Sequence, residues 1–168
     1  NSSVIRYAQL FEYPPEIKHL ANRGTSGIEG LSSTANGYAS AVNDPVYLVS
    51  GDISFFYDIN GLDAASENLK VILINNGGGN IFRIIKGPSE TNQLEDWFET
   101  HHNLQAEHIA KLYNLNYYRA NSESTLAKAL KSFYYLKSFD TTIESYNHTY
   151  WYLINGNFSN FFVSQNAT

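Results

Sequence analysis

The sequence contains no cysteine and no methionine. Without cysteine neither a disulfide framework nor a thiolate metal site can form. The missing methionine sets the expectation of a piece of a longer or processed protein, able to carry part of an active site. Basic residues are scarce: 11 Lys and Arg stand against 16 Asp and Glu, a formal net charge of -5. Nucleic acid is therefore not an expected partner, since its binders usually present a basic face. No apolar run approaches the roughly 20 residues that span a bilayer. No charged, apolar, small-residue leader opens the chain either, so the expected location is the cytoplasm. In that setting the sequons at Asn147, Asn157 and Asn166 are read as chance. A nucleophile elbow, a P-loop and a Gly-x-Gly-x-x-Gly turn after a strand are all lacking.

What is present suits one packed domain: 168 residues, 43% of them hydrophobic. Val46–Ser50 and Lys70–Ile74 are short, β-branched runs bounded by breakers, and both read as buried strands. The stretch Ser54 to Asn68 is long enough for a crossover helix, which makes a βαβ unit with parallel strands. Other helices are expected at Ser2–Phe11, stopped by Pro14 and Pro15, at Leu31–Val42, and at Thr125–Phe133, capped by Asn121 or Ser122. Another is expected at Leu104–Leu115, with Ile109, Leu112 and Tyr113 on one face. Tyr117–Ala120 reads as a short strand. Repeated βα order implies an α/β fold, a mainly parallel sheet with helices on both faces.

The chemistry gathers at the carboxyl ends of the two strands, where open α/β sheets bind ligands. Asp52 follows the first strand and Asn76 the second, 24 residues on. A hard cation takes such oxygens together with a backbone carbonyl and phosphate. Gly77–Gly79 lets the backbone bend and expose a carbonyl, or amides toward a phosphate. Either half alone is an ordinary turn; the pairing across a crossover makes them a candidate site. The loop RGTSGIEG precedes a helix with glycines three apart, a weak anion signal by itself. The histidines (His19, His101, His102, His108, His148) show no metal-ligand spacing on a helix and are expected in surface or satisfied core positions.

Gly51-Asp52, followed across the crossover by Asn75-Asn76, resembles the magnesium–diphosphate motif of thiamin diphosphate enzymes. The stretches NRGTSGIEGLSST, GDISFFYDINGL and NNGGGNIF, with NSSVIRYAQLF and EHIAKLYNL, resemble the MenD family of 2-succinyl-5-enolpyruvyl-6-hydroxy-3-cyclohexene-1-carboxylate synthases. The resemblance runs from Asn1 to about Phe133. It implies the C-terminal, diphosphate-binding domain of a larger enzyme of menaquinone biosynthesis. That enzyme decarboxylates 2-oxoglutarate and adds the succinyl unit to isochorismate, using thiamin diphosphate and Mg2+ or Mn2+. The resemblance implies Asp52, Asn76 and the Gly78 carbonyl as metal ligands. It implies Ser26, Ile28, Gly51, Ile53, Ser54, Ile81 and Phe82 around the cofactor, with Ile28 as the wedge that bends it. Ser2, Arg6 and Arg23 would hold substrate carboxylates. Ile53 replaces the glycine of the wider superfamily, as is usual in this family.

No catalytic residue is expected within the chain. The activating glutamate belongs to another domain of a neighbouring chain in a homodimer or homotetramer, and Glu29 does not match it. The chain alone is then expected to be inactive. Residues 134–168 depart from the family pattern, and only Tyr150–Ile154 reads there as a strand. A non-catalytic α/β binding or interaction module that kept the fold is the alternative.

Overall fold

A computed structural model of the chain describes residue 10 and residues 12–24, 27–135 and 141–146. The helix expected at Ser2–Phe11 therefore lies outside the described residues. The two apolar runs form β1 (Val46–Gly51) and β2 (Leu69–Asn75), which pair in parallel with Val46 opposite Leu69 and Gly51 opposite Ile74. β3 (Asn116–Ala120) and β4 (Thr141–Tyr146) complete an all-parallel sheet of order β1-β2-β4-β3.

Both faces of this sheet are covered, which is why β1 and β2 read as near-continuous apolar runs. Their side chains alternate between two cores. Leu48, Leu69, Val71 and Leu73 pack on one face with Ala39 of α1 (Leu31–Ser40) and Phe55 of α2 (Asp52–Tyr57). Ala106 of α3 (Ala106–Leu112) joins that cluster. On the other face Ile72 and Ala120 meet Ala129 and Phe133 of α4 (Glu123–Tyr135). Replacing a fully buried residue such as Leu73 with alanine would cost roughly 2–5 kcal/mol. No helix among the described residues is long and apolar enough to cross a membrane.

The crossover is shorter than its sequence suggested. α2 stops at Tyr57, and a 3-10 turn, Ile59–Leu62, replaces the rest of the expected helix. Tertiary contacts decide this. The Asp58 carboxylate accepts the Ser33 backbone N–H at 2.7 Å and the Ser33 hydroxyl at 2.6 Å. Gly61 comes so close that a Cβ there would lie 2.3 Å from the Ser33 nitrogen. The segment is thus docked onto α1.

α3 is also shorter than expected, and its buried face differs. Ala106 and Ala110 face inward while Leu112 is 67% exposed; Ile109 and Tyr113 do pack on the core. Small residues let this helix approach closely, so the apolar spacing misassigned Leu112. α4 begins at the expected cap. The Ser122 hydroxyl accepts the Thr125 N–H at 3.2 Å, and the Thr125 hydroxyl accepts the Ser122 N–H at 2.9 Å. Within the atypical segment Thr141–Tyr146 forms the strand β4; the strand expected at Tyr150–Ile154 lies outside the described residues. Its sequence, TTIESY, is polar; pairing with β2 and β3 on both sides makes it a strand.

Candidate functional site

β1 ends at Gly51, whose backbone is extended, and Asp52 is the first residue of α2. An acidic residue in a first helical turn is favoured by the unpaired N–H groups there. The Asp52 carboxylate is buried, and it organises the loop after β2. Its Oδ2 accepts the backbone N–H of Asn76 at 3.0 Å, Gly77 at 2.7 Å and Gly78 at 3.0 Å. Its Oδ1 accepts the Ile53 N–H at 2.8 Å. The ends of β1 and β2 are therefore joined by one buried anion.

This corrects one expectation. The glycine-loop amides do not face outward toward a phosphate: those of Gly77 and Gly78 are taken by Asp52, and that of Gly79 by the Glu99 carbonyl. The loop adopts left-handed backbone to do so, with φ of 79° at Gly77 and 154° at Gly78. Asn75, the last residue of β2, steadies it further: its side chain donates to the Leu104 carbonyl at 3.0 Å and accepts the Gly77 N–H at 3.2 Å.

Asn76 completes the group. One end of its side-chain amide lies 2.7 Å from the Gly78 carbonyl oxygen and 3.1 Å from Asp52 Oδ2. With nitrogen at that end, both contacts become hydrogen bonds and the amide oxygen accepts from the Asn80 side chain at 3.1 Å. With oxygen at that end, three acceptors converge: a carboxylate, an amide and a backbone carbonyl. Convergent oxygens of these kinds are the donor set of a hard cation. No cluster of three His, Cys, Asp or Glu side chains suited to a metal occurs among the described residues, so carbonyl-type oxygens would have to contribute.

The other expected residues fall into three groups. Gly51, Ile53 and Ser54 surround Asp52 at the β1–α2 junction, with Ser54 buried. Ile81 and Phe82 lie half-buried on the 3-10 turn Asn80–Arg83, next to the glycine loop, and Phe82 packs on Phe98 with ring centres 5.6 Å apart. Ile28 and Arg23 lie on the loop before α1, both exposed. Ser2, Arg6 and Ser26 lie outside the described residues.

Four residues at the site, His102, Glu99, Arg83 and His101, were not singled out by their spacing. His102 Nε2 lies 3.3 Å from Asp52 Oδ2. Its Nδ1 accepts the Leu104 N–H at 3.1 Å, which assigns the proton of the neutral ring to Nε2. The ring stands edge-on to Phe56. Glu99 is fully buried beside Arg83 and His101. Hydrogen bonds to Glu95 and then Glu99 hold the Arg83 guanidinium above its usual range. The adjacent histidines were visible in the sequence, but their partners lie across irregular turns.

Comparison with known proteins agrees with this geometry. The family described as "Thiamine pyrophosphate enzyme, C-terminal TPP binding domain" matches residues 2–142. The chain is similar to 2-succinyl-5-enolpyruvyl-6-hydroxy-3-cyclohexene-1-carboxylate synthases from several bacteria. It is 49% identical to the protein of Christiangramia forsetii over 136 residues, 80% of this chain and 24% of the relative. Against the Flavobacterium psychrophilum protein it is 52% identical over 133 residues, 78% of this chain and 24% of the relative. For Bacteroides thetaiotaomicron the figures are 44% over 135 residues, 79% and 24%. The chain thus spans about a quarter of the length of the curated relatives it matches. A match over residues 2–142 shows that the chain belongs to the family of C-terminal, thiamine pyrophosphate-binding domains of thiamine pyrophosphate enzymes.

Proposed function

We propose that the chain is the diphosphate- and metal-binding domain of a 2-succinyl-5-enolpyruvyl-6-hydroxy-3-cyclohexene-1-carboxylate synthase. The substrates are then 2-oxoglutarate and isochorismate, and the product feeds menaquinone biosynthesis. Such an enzyme works in the cytoplasm as a homodimer or homotetramer. The observation that carries the reading is the convergence of Asp52, the Asn76 side chain and the Gly78 carbonyl at the ends of two parallel strands.

These residues fit Mg2+ or Mn2+. Asp52 supplies a negative charge, Asn76 and Gly78 supply neutral oxygens, and the remaining positions suit phosphate oxygens and water. Asn76 would turn its amide oxygen inward when the cation enters and its nitrogen inward when it leaves. The surroundings also suit an amphiphilic cofactor. Polar groups gather at Gly51–Asp52 and Ser54, while Ile81, Phe82 and the exposed Ile28 offer apolar surface for rings. Thiamin diphosphate supplies a carbon acid able to attack a 2-oxo acid and stabilise the charge left by loss of carbon dioxide. This chain's part is to hold the diphosphate through the metal, orient the rings and exclude water. Arg23, with Arg6 and Ser2, would hold the substrate carboxylates, because the planar guanidinium matches them with two parallel hydrogen bonds. The activating glutamate is assigned to a neighbouring chain, so the 168-residue chain on its own should turn over nothing.

The test is a titration of thiamin diphosphate against the protein with Mg2+ and then with chelator. Binding that requires the metal, and that is lost in Asp52→Asn, supports the reading. Binding indifferent to both refutes it and returns the chain to a non-catalytic α/β module.

A further inference from the structure

The glycine loop is gripped from its inner side by Asp52. The outer side is held by a second segment, residues 99–102. The Glu99 carbonyl accepts the Gly79 N–H at 2.6 Å. A Cβ at Gly78 would lie 2.6 Å from that same oxygen, so the two backbones touch. The Gly77 carbonyl accepts the His102 N–H at 3.2 Å, and His101 Nδ1 lies 3.2 Å from it as well.

The same segment carries a charge with no access to water. The Glu99 side chain is 0% exposed. A buried carboxylate is costly unless it is paired. Arg83 Nη2 donates to Glu99 Oε2 at 2.8 Å, Arg83 Nε lies against Oε1, and His101 Nε2 is 2.7 Å from Oε2. Arg83 closes the 3-10 turn that carries Ile81 and Phe82, and its outer side pairs with the exposed Glu95 at 3.1 Å. One carboxylate therefore ties together the turn after the loop, the ring of His101 and the backbone that fixes Gly79.

We propose that Glu99, with Arg83 and His101, forms a positioning device for the metal–diphosphate loop: it fixes the Gly78 carbonyl and the Ile81–Phe82 turn in one arrangement before cation and cofactor bind. The inference rests on the function proposed above. Magnesium demands near-ideal octahedral geometry at about 2.0–2.1 Å. A carbonyl ligand on a loop of three glycines meets that demand only if something outside the loop holds it. Asp52 holds the amides, and Glu99 holds the opposite side. A merely structural ion pair would instead support folding and leave the affinity of the loop for a cation unchanged.

The experiment uses the protein expressed from its own gene and two readouts. The first is Mn2+ affinity by electron paramagnetic resonance at saturating thiamin diphosphate. The second is hydrogen exchange of the peptide covering residues 76–83 without cofactor or metal. Glu99→Gln keeps the shape and removes the charge. It should weaken Mn2+ binding about tenfold or more, the usual effect of losing a group that supports a metal ligand. It should also speed exchange at Gly77–Gly79. Arg83→Gln changes a half-exposed side chain, leaves an amide that can still donate toward Glu99, and should weaken Mn2+ about threefold or more. The double variant should be no worse than Glu99→Gln alone, because the two act as a unit. Mn2+ affinity unchanged in both single variants, whatever their melting temperature, overturns the proposal. If Glu99→Gln does not fold, Arg83→Gln decides alone by the same criterion. Failure of the parent protein to bind Mn2+ with the cofactor would refute the function and this inference together. Parent binding matched by equal binding in the variants would refute this inference only.

Discussion

Asp52 has two separable roles, and substitution can divide them. In Asp52→Ala, the backbone N–H groups of Asn76 and Gly78 lose their acceptor, and that of Gly77 keeps only the longer bond to Asn75 Oδ1 at 3.2 Å. The Gly78 N–H is buried, so the full desolvation penalty of about 1–3 kcal/mol applies there. Asn76 and Gly77 are half-buried, and water can reach their amides, so about 0.5–1 kcal/mol is reasonable for each. The loss of an acid from the first turn of α2 adds about 0.3–1 kcal/mol. The sum is about 2–6 kcal/mol of folding stability, with no metal or cofactor involved. Asp52→Asn keeps one side-chain oxygen for the amides while removing the charge. It should cost about 1–2 kcal/mol and still abolish metal-dependent cofactor binding. Urea unfolding in chelator, without cofactor, compares the three proteins directly. The expected order of midpoints is parent, then Asp52→Asn, then Asp52→Ala. An Asp52→Ala midpoint equal to that of the parent would refute the anchoring of the loop by this carboxylate.

At Gly78, alanine meets both an unusual φ and the Glu99 carbonyl, a backbone atom that cannot swing aside; Gly78→Ala should cost about 1–3 kcal/mol in urea unfolding and weaken Mn2+ binding. Gly37, mid-helix in α1 with nothing within 4 Å of a new Cβ, provides the contrast: Gly37→Ala should stabilise by about 0.5–1 kcal/mol, and a loss would contradict the open space there. Arg23→Ala should raise the Michaelis constant for one substrate about tenfold with cofactor affinity little changed, and unchanged kinetics would leave Arg23 a surface residue. Lys70 donates to the Phe133 carbonyl at 3.0 Å, and burial lowers its pKa from 10.5. Between that lowered value and 10.5 the unfolded chain binds more protons than the folded one, so this group makes stability rise with pH there. Unfolding of Lys70→Met at pH values across that window should show a shallower rise than the parent.

The sequence by itself determined the parallel pair and the site at its end. Val46–Ser50 and Lys70–Ile74 are apolar without alternation, which only strands covered on both faces tolerate. Breakers fix where those strands stop, and so place Asp52 and Asn76 on one edge. The capping hydroxyl of Ser122 was legible for the same local reason. Only the tertiary structure decided the rest. α2 ends early because Asp58 turns to Ser33 on another helix. TTIESY becomes an interior strand because β2 and β3 pair with it from either side, not through any preference of its own. The amides of Asn76, Gly77 and Gly78 point at Asp52, since a buried carboxylate without donors would be too costly. Arg83, Glu99 and His101 meet through turns that carry no periodicity, so no spacing in the sequence announces them. Local chemistry sets where strands and caps begin and end; long-range pairing of buried charge sets which irregular segments close around the site.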